Sequence, residues 1–264
     1  MSAFGLLTRE AVQDAMRRRI VFAIAAVSVL SLMVVDGCTR CSTGEIVVNG
    51  QPQQLDQVAG AAGLLTFVTL GMWIILLAGV LAADHLQQSL EDGTASLCLA
   101  RPLSRASFAL SRLAGVLILT GITGAVLLGA TGFFLATRGA LALAPAALAA
   151  GTCALGAVGI AGLSMALSLT LPRLSCILVV FGAVGSVALA NGLGLATHSG
   201  GGLLAAIDHF GPPLLSAMTL ALAPWVPQVQ IPGALPAVLA RLVIWSLIGP
   251  AALVLAFRRV ELGR

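Results

Sequence analysis

Lysine is missing from this 264-residue chain; all fourteen basic residues are arginine. The absence excludes a phosphate-binding loop of the form G-x-x-x-x-G-K-[ST], and it excludes a lysine Schiff base. If ATP drives this protein, another chain binds it. Charge of either sign is also scarce, at 9% of residues against about 25% in ordinary globular domains. Hydrophobic residues reach 59% and the mean hydropathy is +1.05, so lipid is the main solvent. No nucleophile, base and orienting group occur together in a pattern that suggests catalysis. Asp84, His85, Glu91 and Asp92 fall in a stretch expected to be exposed, with spacing that does not suit metal binding or acid–base work. The net charge of +4 reflects arginines flanking apolar runs, so nucleic acid is not implied.

Crossing about 30 Å of hydrocarbon takes roughly 20 apolar residues in a helix, because only intrahelical bonds satisfy the backbone there. Six segments are expected to cross: 20–35, 58–83, 108–136, 146–171, 176–197 and 236–257. Basic residues near span ends stay cytoplasmic. That rule places Arg9, Arg17, Arg18, Arg19, Arg101, Arg105, Arg112, Arg173, Arg258, Arg259 and Arg264 inside, and Arg40, Arg138 and Arg241 toward the outside. Both termini are then cytoplasmic, in a membrane expected to be a bacterial inner membrane. A seventh apolar stretch, 203–223, carries Asp208, His209 and Gly211-Pro212-Pro213 and reads as an outer hairpin or re-entrant element within 198–235.

The lead before the first span places Phe4, Leu7, Ala11, Val12, Ala15 and Met16 on one helical face and Arg9, Glu10, Gln13, Asp14 and Arg17 on the other. Residues 1–19 therefore read as an amphipathic helix lying in the inner interface, or as a plain positive-inside flank. No short basic leader with a small-x-small exit site precedes the first span, which is expected to remain as an anchor.

The densest polar stretch is 84–112, of which 84–107 is expected to lie in the cytoplasm. Asp84–Leu90 continues the second span, Gly93 can stop the helix in the left-handed conformation, and Thr94 can cap a short helix. Arg101-Pro102 ends that helix, and Ser104 is placed to cap the third span. The sequence Glu91-Asp92-Gly93-Thr94, followed by Arg101-Pro102-Leu103-Ser104-Arg105, resembles ABC transporter permeases of the second exporter type. Within that family it is most similar to single-domain permeases of copper-enzyme maturation and gliding-motility systems. Ser111-Arg112 stands where many relatives have Gly-Lys, a departure that keeps the charge.

The resemblance implies an all-α integral membrane bundle of six transmembrane helices in one domain spanning 1–264, with the N-terminal interfacial helix and a short cytoplasmic coupling helix. It implies a pair of permeases above a cytoplasmic pair of ABC ATPase subunits that binds the ATP. Glu91, Asp92, Gly93, Thr94, Arg101, Pro102, Ser104 and Arg105 would then couple the ATPase to the spans. The chain itself is expected to be no enzyme and to hold no cofactor or metal. A solvated loop rich in charge is the plain alternative for this stretch. For the whole chain the rivals are a lipid-modifying membrane enzyme and a non-transporting anchor or mechanotransmitter for a partner complex.

Cys38 and Cys41 form C-x-x-C in the outer loop, 36–57, and suit a disulfide, free thiols, or two ligands of the four a closed zinc site needs. Cys98, Cys153 and Cys176 read as small packing residues. Residues 45–51, Glu-Ile-Val-Val-Asn-Gly-Gln, carry a hairpin signal in Asn49-Gly50, in a loop that could cap the outer side or meet a periplasmic partner. Arg241 either snorkels from the last span or makes a polar contact, with Asp208 as candidate. Gly121 with Ala125, Gly162 with Ala166 and Gly182 with Ser186 read as internal packing faces, and Trp225 and Trp245 as interfacial anchors.

Overall fold

A computed structural model describes residues 5–6, 8–10, 12–13, 33, 46–48, 51–53, 55–91, 93, 104–137, 142–197, 202–227, 231 and 233–259. Seven helices dominate: α1 (Leu55–Glu91), α2 (Arg105–Thr137), α3 (Leu143–Ser168), α4 (Arg173–Thr197), α5 (Leu203–Phe210), α6 (Leu214–Ala221) and α7 (Leu235–Arg259). Two three-residue strands, β1 (Ile46–Val48) and β2 (Gln51–Gln53), pair antiparallel on either side of Asn49-Gly50, with Val48 opposite Gln51. The residues described between 5 and 13 are helical, with Arg9, Glu10 and Gln13 exposed. The expected first span, Cys38, Cys41 and Cys98 lie outside the described residues; of 20–35 only Met33 is described.

Among the described residues five helices, α1 to α4 and α7, are long and apolar enough to cross a membrane, or six if the bent α5–α6 pair is taken as one span. They match the remaining five expected spans with ends shifted by a few residues, and polar residues extend some of them. α1, for instance, runs through Asp84, His85 and Gln87 to Glu91.

α3 is the hub, packed against α1, α2, α4, α6 and α7. Its sequence is mostly Ala, Gly and Ser, and small residues are what helices need to approach closely where lipid removes any hydrophobic drive to associate. Gly156 meets Ile75 of α1 and Leu214 of α6, while Gly159 and Gly162 press on the backbone of α7 at Trp245, Gly249 and Pro250. A methyl group on Gly249 would overlap the Gly159 carbonyl. Of the three expected small-residue faces, only the one with Gly162 is internal. Gly121 and Gly182 look into open space, so the spacing alone did not reveal which helix faces have a partner.

The α5–α6 pair is bent by 63° at Gly211-Pro212-Pro213. Along α6 the neighbours on α1 step from Ile75 at Leu214 to Gly71 at Met218, and Trp225 then reaches Gly60. The segment thus returns to the end of the bundle where α4 left it. Trp225 is buried rather than lipid-facing, a correction to its expected anchoring role. Its indole N–H donates to the Ala142 carbonyl at 3.0 Å, and its ring meets Phe67 edge-on at 5.6 Å. A buried indole needs an acceptor, and the start of α3 supplies one.

The close α3–α7 crossing makes a contrast testable. Gly249→Val is expected to cost about 1–3 kcal/mol or more through overpacking, lowering the midpoint of thermal unfolding in detergent, whereas Gly121→Ala leaves it within a degree or two.

Candidate functional site

Two polar clusters lie at opposite ends of this apolar bundle. The first surrounds the gap between α1 and α2. α1 ends as expected at Gly93, whose φ of 70° is the left-handed conformation only glycine adopts without strain. Gly93 N–H donates to the Leu90 carbonyl at 3.3 Å. α2 starts with Ser104 as its cap, the hydroxyl accepting from Ser107 N–H at 3.1 Å. Glu91 is the last residue of α1, and Arg105 the first of α2. Asp92, Thr94, Arg101 and Pro102 lie outside the described residues.

Asp84 and His85 are buried, 7% and 4% exposed, where exposure was expected. The reason is tertiary: Asp84 accepts from Arg173 Nε at 2.8 Å, tying α1 to the first residue of α4. A basic residue at a helix N-terminus opposes the helix dipole, and Asp84 offsets that charge. On α2, Arg112 is 4% exposed and lies 5.3 Å above the Phe108 ring, which stacks on Phe257 of α7 at 5.9 Å. Its Nε has no acceptor among the described residues. Arg105 Nη1 donates to the Arg258 carbonyl at 3.4 Å, satisfying one of the orphan acceptors at the end of α7. This end thus carries two links, an ion pair between α1 and α4 and a hydrogen bond with ring stacking between α2 and α7, and α1 packs on α2 between them.

The second cluster, at the other end, is built by the broken helix pair. Breaking a helix at Gly211-Pro212-Pro213 frees the last carbonyls of α5 and the first N–H groups of α6. Neighbouring side chains take them up. Arg241 Nη2 donates to the Asp208 carbonyl at 2.6 Å, Trp245 Nε1 to the Phe210 carbonyl at 3.2 Å, and Gly211 N–H to the Ile207 carbonyl at 2.7 Å. Asn191 of α4 is fully buried; its Oδ1 accepts from Leu215 N–H at 3.3 Å, and its Nδ2 donates to Asp208 Oδ1 at 2.7 Å. The contact between Arg241 and Asp208 thus runs through the backbone carbonyl. Arg241 Nε is enclosed without an acceptor among the described residues.

Around this cluster is a cavity of about 380 Å³, lined by Asn191, Asp208, Ser216 and Arg241 on its polar side and by Leu195, Pro213, Leu220 and Val238 on its apolar side. Its size is that of a small-molecule site, and its donors and acceptors suit binding. Asn191 was not anticipated. An amide within an apolar span is itself a signal, because such groups are costly unless paired. Among the described residues no three His, Cys, Asp or Glu side chains converge as a metal site. Cys153 and Cys176 are buried and donate to the Gly71 and Ser164 carbonyls at 3.3 and 3.5 Å, which suits packing roles.

Among the described residues, five long apolar helices and a bent helix pair place the chain among integral membrane proteins of the helical-bundle class. No protein-family model matches the chain, and no curated protein is significantly similar to it in sequence.

Asn191→Leu keeps the volume but leaves Leu215 N–H and Asp208 without their partner. It is expected to cost about 0.5–1.5 kcal/mol, seen as a lower unfolding midpoint, because both abandoned groups are partly buried.

Proposed function

We propose that this chain is the permease subunit of an ATP-driven exporter, working as a dimer with a second, like or related permease above a cytoplasmic pair of ATPase subunits. The observation that carries the reading is the bracket between α1 and α2. A short connection, residues 94–103, is held between a glycine stop at Gly93 and a serine cap at Ser104. Each flanking helix runs the length of the bundle and packs on α3. A push on that connection from a soluble partner is transmitted to both helices, since neither end is a flexible tether. Arg105 and Asp84 extend the same path to α7 and α4. With no lysine for a phosphate-binding loop, nucleotide binding falls to the partner.

The bracket end faces the cytoplasm in this reading. Arg105, Arg112, Arg173, Arg258 and Arg259 gather there, whereas Arg241 lies toward the other end. With residues 20–35 as a further span, both termini are cytoplasmic, residues 1–19 lie along the inner interface, and the membrane is a bacterial inner membrane. Glu91, Asp92, Thr94, Arg101 and Pro102 present the surface the ATPase touches. The cavity at the Asp208 end opens toward the outer side, where an exported substrate or a periplasmic partner would be met.

The test is ATP hydrolysis by a co-purified ATPase in lipid nanodiscs, comparing wild type with Glu91→Arg and Gly93→Pro. Proline cannot take the positive φ of Gly93, so the bracket is re-aimed while the spans persist. The expected result is an associated ATPase whose activity responds to the permease and loses that response, by roughly tenfold or more, in both variants. Absence of an associated ATPase, or unchanged coupling in both folded variants, rejects the exporter reading in favour of an anchor.

A further inference from the structure

We propose that the cavity at the Asp208 end binds the headgroup of an aminophospholipid, with its phosphate on Arg241 and its primary ammonium on Asp208. The inference does not depend on the chain being a permease; it rests on what the cavity offers. Two opposite charges line one side of it, each oriented by a separate bond to the protein. The Asp208 carboxylate is fixed by Asn191 through Oδ1, and the Arg241 guanidinium by the Asp208 carbonyl through Nη2. No ion pair joins the two side chains directly among the described residues, so each retains hydrogen-bonding capacity for a ligand. A net-neutral pair of this kind is complementary to a zwitterion rather than to an anion or a cation alone.

Location and shape favour a lipid as the source of that zwitterion. Arg241 is one to two turns inside the start of α7, within the reach of an arginine to the headgroup region. The cavity pairs its polar side with Leu195, Leu220 and Val238, and at about 380 Å³ it takes a headgroup rather than a whole lipid. α4 and α7, which supply part of its lining, also expose Leu193, Val243, Ile244 and Leu247, apolar surface of the kind along which acyl chains lie. A primary ammonium can donate to the carboxylate and to the Ser216 hydroxyl, whereas a quaternary ammonium cannot. The site is therefore selective between zwitterionic lipids, not only for zwitterions.

The experiment is native mass spectrometry of the full-length protein in detergent, titrated with phosphatidylethanolamine, phosphatidylcholine or phosphatidylglycerol. The expected result is one phosphatidylethanolamine per chain, retained roughly tenfold more tightly than either of the others. Arg241→Gln is expected to weaken that binding about tenfold. Asp208→Asn leaves Arg241 as an unbalanced cation and is expected to reverse the ranking toward phosphatidylglycerol. Because the ranking is read within each variant, a smaller folded fraction does not imitate it. Equal retention of the three lipids by wild type, or a ranking that both variants leave unchanged, overturns the proposal. Soluble glycerophosphoethanolamine binding as tightly as the intact lipid would overturn the lipid assignment and point to a water-soluble zwitterion.

Discussion

In hydrocarbon a backbone N–H or C=O without a partner costs several kcal/mol, and this requirement decides which breaks in regular structure the fold tolerates. The long helices satisfy it internally. The α5–α6 break does not, and the side chains around it follow from that fact. Asn191, Arg241 and Trp245 come from two different helices, and each supplies a partner to backbone freed by Gly211-Pro212-Pro213. The same bonds that repair the break gather an amide, a carboxylate and a guanidinium around one cavity. The polar cavity is thus a consequence of ending a helix inside an apolar bundle, and any binding role is built on that repair.

The opposite end solves the same problem with charge. Arg105 takes up a terminal carbonyl of α7, Asp84 offsets Arg173 at the start of α4, and Arg112 covers Phe108 in a stack that continues to Phe257. Between the two ends, α3 brings backbones close through glycine, at Gly156 against α1 and at Gly159 and Gly162 against α7. Close backbone contact leaves little freedom for helices to slide independently, so a displacement imposed at one end is shared across the bundle. That stiffness is what the proposed coupling of a soluble ATPase to the membrane requires.

Local rules made five of the six expected span positions legible in the sequence, along with the left-handed stop at Gly93, the cap at Ser104 and the break at Gly211-Pro212-Pro213, because each depends on neighbours a few residues away. Burial was harder to read. Asp84 looked like an exposed acid because its partner, Arg173, belongs to another helix, and Trp225 looked like an interfacial anchor because the Ala142 carbonyl and Gly60 that receive it are remote in sequence. Gly121 and Gly162 share the same small-residue spacing, yet only Gly162 faces a helix. The sequence offers Asp208 as one partner for Arg241, but the atom that joins them, a backbone carbonyl, is not legible there, and neither is the part played by Asn191.

In the proposed orientation the bracket end lies in the cytoplasm and the Asp208 end across the membrane. The most direct measurement is labelling of single cysteines, in a background with the native cysteines replaced, by a membrane-impermeant maleimide on intact bacterial cells. Thr170→Cys marks the exposed turn between α3 and α4 at the bracket end, and Leu203→Cys the exposed start of α5 at the other. The account predicts that Leu203→Cys is labelled in intact cells and Thr170→Cys only after permeabilisation. Labelling of both from the same side, or the reverse order, would contradict it.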